Sequence, residues 1–214
     1  MTETSSLKKT AGQGTLNIDT GLHWKRDHCM NALVGMAFAD NDSGGWQNES
    51  AREAALMKLL EFLVPEAINV DLQSTDKEGV IRDIVGGLQR AGSVSATESE
   101  SVIKAILGRE ELGSTGIGRG VAVPHTRHPS VEKLVAAVAI SRKGVDFESL
   151  DEEPVFVFFL LISPPNQPGP HLRALDNAAR YLREDSFVES LRHAKSSDQV
   201  LNLIRNMDQQ HGTN

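Results

Sequence analysis

The sequence predicts an α/β sandwich, in which a sheet carries helices on both of its faces. Two segments in the middle of the chain, Leu134–Ile140 and Pro154–Ile162, are nearly continuous apolar runs, as expected of strands covered on both sides. Segments with apolar residues at helical spacing lie before and after these strands. The region with this regular pattern holds about 150 residues, which is enough to bury a proper core.

Residues 1–56 lack a sustained helical or alternating pattern and hold turn-prone clusters, so we expect a poorly ordered N-terminal extension there. An apolar run at Cys29–Ala39 follows two basic residues and mimics a secretory signal. Such a signal belongs at the extreme N-terminus, so we do not expect export. A second interpretation of this region is that the true start is Met57, where the regular pattern begins.

The regular pattern opens with a short apolar segment at Met57 and a brief strand at Ile68–Leu72. The first helix is expected to begin after a cap at Ser74 or Thr75 and to stop at Gly92. Apolar residues at helical spacing predict four more helices, over residues 97–109, 171–182, 186–193 and 197–207.

Prolines mark two further boundaries. A short apolar strand over residues 121–123 is expected to end at Pro124. The four prolines of Ser163–Pro170 predict a loop before the third helix.

The composition argues against several functions. The 22 Lys and Arg residues against 29 Asp and Glu give a net charge of −7 without a basic block, so direct binding to duplex nucleic acid is not expected. Cys29 is the only cysteine, which excludes an intrachain disulfide and a Cys-rich zinc site. No apolar run reaches the roughly 18 residues that cross a bilayer, so we expect a cytoplasmic protein without a membrane span.

Chemically useful side chains concentrate between Arg109 and Thr126. A glycine-rich loop with hydroxyl groups can turn its backbone N–H groups toward an anion, and the following strand places His125 at its end, where sites on α/β sheets lie. Arginines in the segment can neutralise a phosphoryl group. A Walker loop would need Gly-Lys-Ser/Thr, and a dinucleotide fingerprint would open a helix, whereas a strand and Pro124 follow here. By themselves, the glycines indicate only tight turns and close packing.

Two nearby groups of residues have ordinary interpretations. The pair Glu110-Glu111 is expected to form a solvated turn rather than an acid/base dyad, because nothing in the sequence fixes a geometry for its carboxylates. His125 and His128 have the spacing of a metal-binding pair. A third and a fourth ligand are not evident, so no metal is expected.

The run Gly-Ser-Thr-Gly-Ile-Gly-Arg-Gly-Val-Ala-Val-Pro-His, which ends at His125, resembles the active-site signature of enzyme IIA in the fructose/mannitol class of the phosphoenolpyruvate-dependent sugar phosphotransferase system. The nitrogen-regulatory branch of that class is the most similar. The resemblance covers Met57 to Met207 and includes the later apolar strand, the Pro-Gly-Pro-His171-Leu172 turn and the closing helix. It implies that residues 57–210 form an EIIA type-2 domain, with a mixed sheet between two helix layers.

The resemblance also implies which residues act. His125 corresponds to the histidine that is phosphorylated in the family, His171 to its supporting histidine, and Arg109 to the arginine that offsets the phosphate charge. Neutral imidazole is a nucleophile at physiological pH, so this scheme needs no metal and no cofactor. The residues that correspond to the family's phosphate loop are Ser114, Thr115, Gly116 and Gly118.

Family members take the phosphoryl group from a small histidine-containing phosphocarrier protein. They are phosphotransferase components rather than free-standing turnover enzymes. Transport members pass the group to a IIB domain, whereas regulatory members control target proteins through their phosphorylation state. The chain carries neither a IIB nor a IIC domain, which favours a regulator. The alternative is relay of the phosphoryl group to a separate IIB domain during sugar uptake.

The chain departs from typical members in its N-terminal extension and at Arg127-His128, where many members carry Gly-Lys. Both departures lie outside the signature, although the second changes the local charge. Arg119 and Arg127 are expected to be solvated charges.

Overall fold

A computed structural model describes residues 57–211 of the protein. The expectations for residues 1–56, including the signal-like run, lie outside the described residues. The described strands are β1 Asn69–Leu72, β2 Gly116–Gly118, β3 Val121–Ala122, β4 His125–Arg127, β5 Val135–Val145 and β6 Val155–Ser163. The described helices are α1 Lys77–Arg90, α2 Ser99–Glu110, α3 Pro168–Tyr181, α4 Asp185–His193 and α5 Ser197–His211.

The six strands form one mixed sheet in the order β1-β5-β6-β3-β2, and β4 also pairs with β6. The long central strands β5 and β6 are antiparallel, whereas β3 and β4 run parallel to β6 and β1 runs parallel to β5. A mixed sheet is therefore confirmed.

Strand β6 is covered on both faces, as its unbroken apolar run predicts. Successive side chains of a strand point to opposite sides, so Val157, Phe159 and Leu161 enter one core, whereas the alternating residues Phe158, Leu160 and Ile162 enter the other. The first core also contains the apolar residues of α3, α4 and α5, and the second contains those of α1 and α2. The predicted sandwich is confirmed. Within residues 57–211, none of the helices is long and apolar enough to span a bilayer.

The predicted short strand that ends at Pro124 is present as β3, but the sequence does not predict that pairing resumes beyond the proline in β4. Pairing with β6 continues through the proline without a shift in register, from Val121 opposite Val157 to Arg127 opposite Ser163. Proline has no N–H to donate, but the Pro124 carbonyl still accepts a hydrogen bond from Leu161 N at 2.9 Å. His125 therefore opens a second short strand instead of ending the first.

The prediction of a loop up to Pro170 is wrong, because α3 begins at Pro168. The N–H groups of a first helical turn have no partner inside the helix, so proline there costs no hydrogen bond. His171 consequently lies one turn inside α3, and its N–H bonds to the Gln167 carbonyl at 3.2 Å.

The boundaries of α1 are partly as predicted. The N-cap is Asp76, not Ser74 or Thr75, and its carboxylate accepts a hydrogen bond from Gly79 N at 2.9 Å. The stop at Gly92 is confirmed, because this residue has a φ of +74°, which glycine adopts without strain.

A buried carboxylate on the last helix holds the first described residues in place. Asp208, which is 2% exposed, accepts hydrogen bonds from Leu59 N at 2.9 Å, Leu60 N at 3.1 Å and the Tyr181 hydroxyl at 2.8 Å. Burial, followed by the contact with Asp208, raises the pKa of Tyr181. The start of the domain is thus fixed to α5 by one side chain.

We expect the substitution Asp208→Ala to lower the free energy of unfolding by about 3 kcal/mol, because it leaves three donors without their acceptor. The matched control is Asn206→Ala, at an exposed position of the same helix, which should change this free energy by no more than about 0.5 kcal/mol. Urea unfolding measures both values. Equal losses in the two variants would contradict the assigned role of Asp208.

Candidate functional site

His125 is held in one tautomer by the backbone. Its Nδ1 atom lies 2.8 Å from the carbonyl oxygen of Val123, and the residue is only 8% exposed. A carbonyl can only accept a hydrogen bond, so Nδ1 carries the proton in this contact. The lone pair of the neutral ring is then on Nε2, which is the atom left for attack on an electrophile.

His171 lies next to this ring, although it comes from a different element. The ring centroids of His125 and His171 are 5.6 Å apart, and the ring planes are inclined by 53°. Nδ1 of His171 contacts the hydroxyl of Ser163, the last residue of β6, at 2.7 Å. Parallel pairing of β4 with β6 and the short connection from β6 to α3 bring the two histidines together at one end of the sheet.

Both imidazoles are kept neutral. Burial is the main cause that lowers the pKa of His125; the Val123 carbonyl opposes this effect and the charge of Arg109 adds to it. Burial also lowers the pKa of His171 to about 4, with further contributions from His125 and from Arg127. Neutral rings are the nucleophilic form, so the site is suited to attack from a histidine nitrogen.

Arg109 belongs to the last turn of α2, where cations are favourable. Its Nη1 atom donates to the carbonyl of Gly113 at 2.9 Å, which orients the guanidinium group. Because its charge lowers the pKa of His125, it acts on the same site as the two histidines. The structure thus places His125 beside His171 and brings the charge of Arg109 within reach of His125.

The loop that the sequence assigns to phosphate binding uses its polar groups within the protein. Ser114 donates to the Phe147 carbonyl at 2.8 Å and accepts from Gly116 N at 3.1 Å. The Gly118 amide donates to the Ser149 hydroxyl at 3.2 Å. The observed bonds of these groups fix the loop itself, and contact with phosphate stays a prediction for Ser114, Thr115, Gly116 and Gly118.

The expectation of a solvated turn is wrong for Glu110. Its side chain is 2% exposed and accepts hydrogen bonds from the amide and the hydroxyl of Thr115. The ammonium group of Lys77 lies 3.8 Å away and offsets the buried charge. Glu110 therefore ties the end of α2, which carries Arg109, to the glycine-rich loop.

Two further residues differ from, or add to, the sequence interpretation. Arg119 is not simply solvated, because it donates to the Arg183 carbonyl at 2.8 Å and pairs with Asp185. His128 uses both ring nitrogens, contacting the Ser101 hydroxyl at 2.9 Å and accepting from Ser130 N at 3.1 Å. The described part of the chain holds no group of three or more His, Cys, Asp or Glu residues that could bind a metal ion.

Comparison with protein families gives a match over most of the described residues. Residues 61–207 match the family described as phosphoenolpyruvate-dependent sugar phosphotransferase system, EIIA 2. The chain belongs to this family. It is therefore an EIIA-type component of that phosphotransferase system, as the resemblance of its signature implies.

Several relatives carry regulatory names, and others carry transport names. The chain is 31% identical over 148 residues to a nitrogen regulatory protein of Bradyrhizobium diazoefficiens, a match that covers 69% of this chain and 95% of the relative. It is 34% identical over 152 residues to the fructose-specific EIIABC component of Bacillus subtilis. That match covers 71% of this chain but only 24% of the longer Bacillus protein.

Solved structures show the same fold. Nitrogen regulatory protein IIA-Ntr from Neisseria meningitidis superposes with a TM-score of 0.62 at 33% identity, covering 67% of this chain and 97% of that protein. IIA mannitol from Escherichia coli superposes with a TM-score of 0.55 at 27% identity, and the match covers 65% of this chain and 96% of that protein. The predicted fold class is thereby confirmed.

The lowered pKa of His171 predicts a pH dependence of stability. The folded chain protonates this ring only near pH 4, whereas the unfolded chain protonates it near pH 6.5. The stability that neutral His171 contributes is therefore fully present above pH 6.5 and is lost as the pH falls toward 4, and His125 acts in the same direction.

We expect an NMR titration to give a pKa of about 4 for His171. The Tm of His171→Gln should fall less than that of the wild type between pH 6.5 and 4, because one of the titrating groups is absent. Equal slopes of Tm against pH, or a pKa of His171 at or above 6.5, would contradict this account.

Proposed function

We propose that this protein is a phosphoryl carrier that accepts phosphate on His125 from a histidine-containing phosphocarrier and acts mainly as a regulator in the nitrogen branch of the phosphotransferase system. The observation that carries the proposal is the contact of His125 Nδ1 with the Val123 carbonyl at 2.8 Å, which leaves Nε2 as the nucleophile. The domain proposed for this task spans 57–210, with 1–56 as an extension.

The chemistry is a direct transfer between two histidines. The Nε2 lone pair of His125 forms a bond to phosphorus, while the bond from phosphorus to the donor nitrogen breaks and its electron pair returns to the donor ring. The proton on Nδ1 stays in its hydrogen bond to Val123, so no separate base is needed. Such a transfer depends mainly on positioning and charge stabilisation.

The neighbouring side chains have proposed roles in that transfer. Arg109 offsets the negative charge that the phosphoryl group brings to the site. His171, held by the Ser163 hydroxyl, limits the orientation of the incoming group next to the His125 ring. Contact with the phosphoryl oxygens is proposed for the loop of Ser114 to Gly118 as well. The donor is charged from phosphoenolpyruvate, a cytoplasmic metabolite, so we place this function in the cytoplasm.

Incubation with phosphoenolpyruvate and the general phosphotransferase components should give acid-labile, base-stable labelling of the full chain. His125→Ala should abolish the label, because it removes the nucleophilic nitrogen. His193→Ala is the control, since His193 is an exposed histidine with a side chain 74% accessible on α4. Labelling of His125→Ala at the wild-type level would overturn the site assignment.

A regulatory role is favoured by the relatives. Nitrogen regulatory proteins from Bradyrhizobium diazoefficiens and Pseudomonas aeruginosa align over 95% and 99% of their own lengths, so their architecture resembles that of the matched region. Phosphorylation adds nearly two negative charges at pH 7, which is sufficient to change which target proteins bind.

The second candidate is relay to a IIB domain, which one neighbour supports. A solved complex of IIA mannitol with phosphorylated IIB mannitol from Escherichia coli contains a domain 25% identical to this chain, with a TM-score of 0.55. We expect the labelled protein to pass little phosphate to a purified fructose- or mannitol-type IIB domain. The control is a IIA domain of known transport function, measured with the same IIB domain. Transfer from this protein as rapid and complete as from the control would favour the transport role instead.

A further inference from the structure

A cation at the end of β4 shares a face of the strand with the proposed phosphoryl acceptor. Arg127 follows His125 by two positions, and side chains two apart along a strand point to the same side. Pairing with β6 sets Arg127 opposite Ser163, whose hydroxyl contacts His171. The end of the sheet thus carries the arginine together with both histidines.

The charge of Arg127 reaches this site. It contributes to the lowered pKa of His171, after the larger effects of burial and of His125. Arg109 contributes in the same way to the lowered pKa of His125. Two guanidinium groups from different elements therefore act on two rings whose centroids are 5.6 Å apart.

Unlike the other hydrogen-bond donors at the site, the Arg127 side chain has no partner among residues 57–211. Its residue is exposed, and its side chain makes no hydrogen bond or ion pair with any of residues 57–211. Arg109 already donates from Nη1 to Gly113, and the amide and hydroxyl of Thr115 are bonded to Glu110. A guanidinium group offers five N–H donors in a planar fork that fits phosphate oxygens.

We propose that Arg127 binds the oxygens of the phosphoryl group once it is on Nε2 of His125. This inference rests on the proposed function and adds a second phosphate-binding cation to it. No bond beyond the transfer itself changes: the N–P bond forms at His125, the donor N–P bond breaks, and Arg127 keeps all its protons. The ion pair stabilises the phosphorylated product relative to the phosphorylated donor, so it acts on the equilibrium of the transfer.

The test is the transfer equilibrium between the full chain and the phosphorylated histidine phosphocarrier. Arg127→Gln should shift this equilibrium about fivefold toward the carrier, as expected for loss of a solvent-accessible ion pair. Arg127→Lys keeps the charge without the fork, so it should recover most of the shift. Arg205→Gln, which removes an exposed arginine on α5, is the control and should leave the equilibrium unchanged.

Forward and reverse rates separate this role from simple docking. If both rates fall equally in Arg127→Gln and the equilibrium is unchanged, Arg127 contacts the carrier protein and the inference is wrong. An unchanged equilibrium together with unchanged rates would also contradict the proposed role of Arg127. A second readout is the pKa of His171, which should rise in Arg127→Gln because a nearby positive charge is removed.

The two proposals can fail separately. If His125→Ala is still labelled, the acceptor assignment fails and the role of Arg127 falls with it. If His125→Ala abolishes labelling while Arg127→Gln keeps the wild-type equilibrium, the acceptor assignment stands and only the role of Arg127 is lost.

Discussion

The hydrogen bond from His125 to the carbonyl of Val123 is the constraint on which the site depends. It spans only two residues, so the backbone around Pro124 must turn the carbonyl toward the ring that follows it. The unshifted pairing of Val121 through Arg127 with β6 supplies this geometry, because it fixes the chain on both sides of the proline. The tautomer of a reactive ring is thus set by the sheet rather than by another side chain.

The other residues of the site come from separate strands and helices of the fold. Strand β6 contributes Ser163, α3 contributes His171, and α2 contributes Arg109. Glu110 joins the end of α2 to the glycine-rich loop through Thr115. A shift of the loop would therefore displace the arginine beside it, which links the signature motif to a residue that precedes it.

The sequence predicted the architecture well where the pattern was long. The apolar run of β6 and the helical spacing of the last three helices identify elements that bury large faces, and these are present. Short elements carry too few residues to show a periodic pattern of apolar side chains, so the sequence does not reveal β2 and β4. The prolines in the first turn of α3 resemble a loop for the same reason. The signature motif identified His125 and the resemblance supplied His171 and Arg109. The roles of Ser163 and Glu110 give no sequence signal, although their partners His171 and Thr115 are only eight and five residues away, because each contact depends on burial and on the direction of the following element.

The edge strands of the sheet limit how two copies of the protein can pair through their sheets. The order of strands leaves β1, with four residues, and β2, with three, at the two margins of the sheet. Edge strands this short present few free N–H and C=O groups, so they are poor templates for pairing with a strand of another molecule. The long strands that could template such growth, β5 and β6, are both interior. Within residues 57–211, the sheet is therefore a poor template for aggregation through its edge strands.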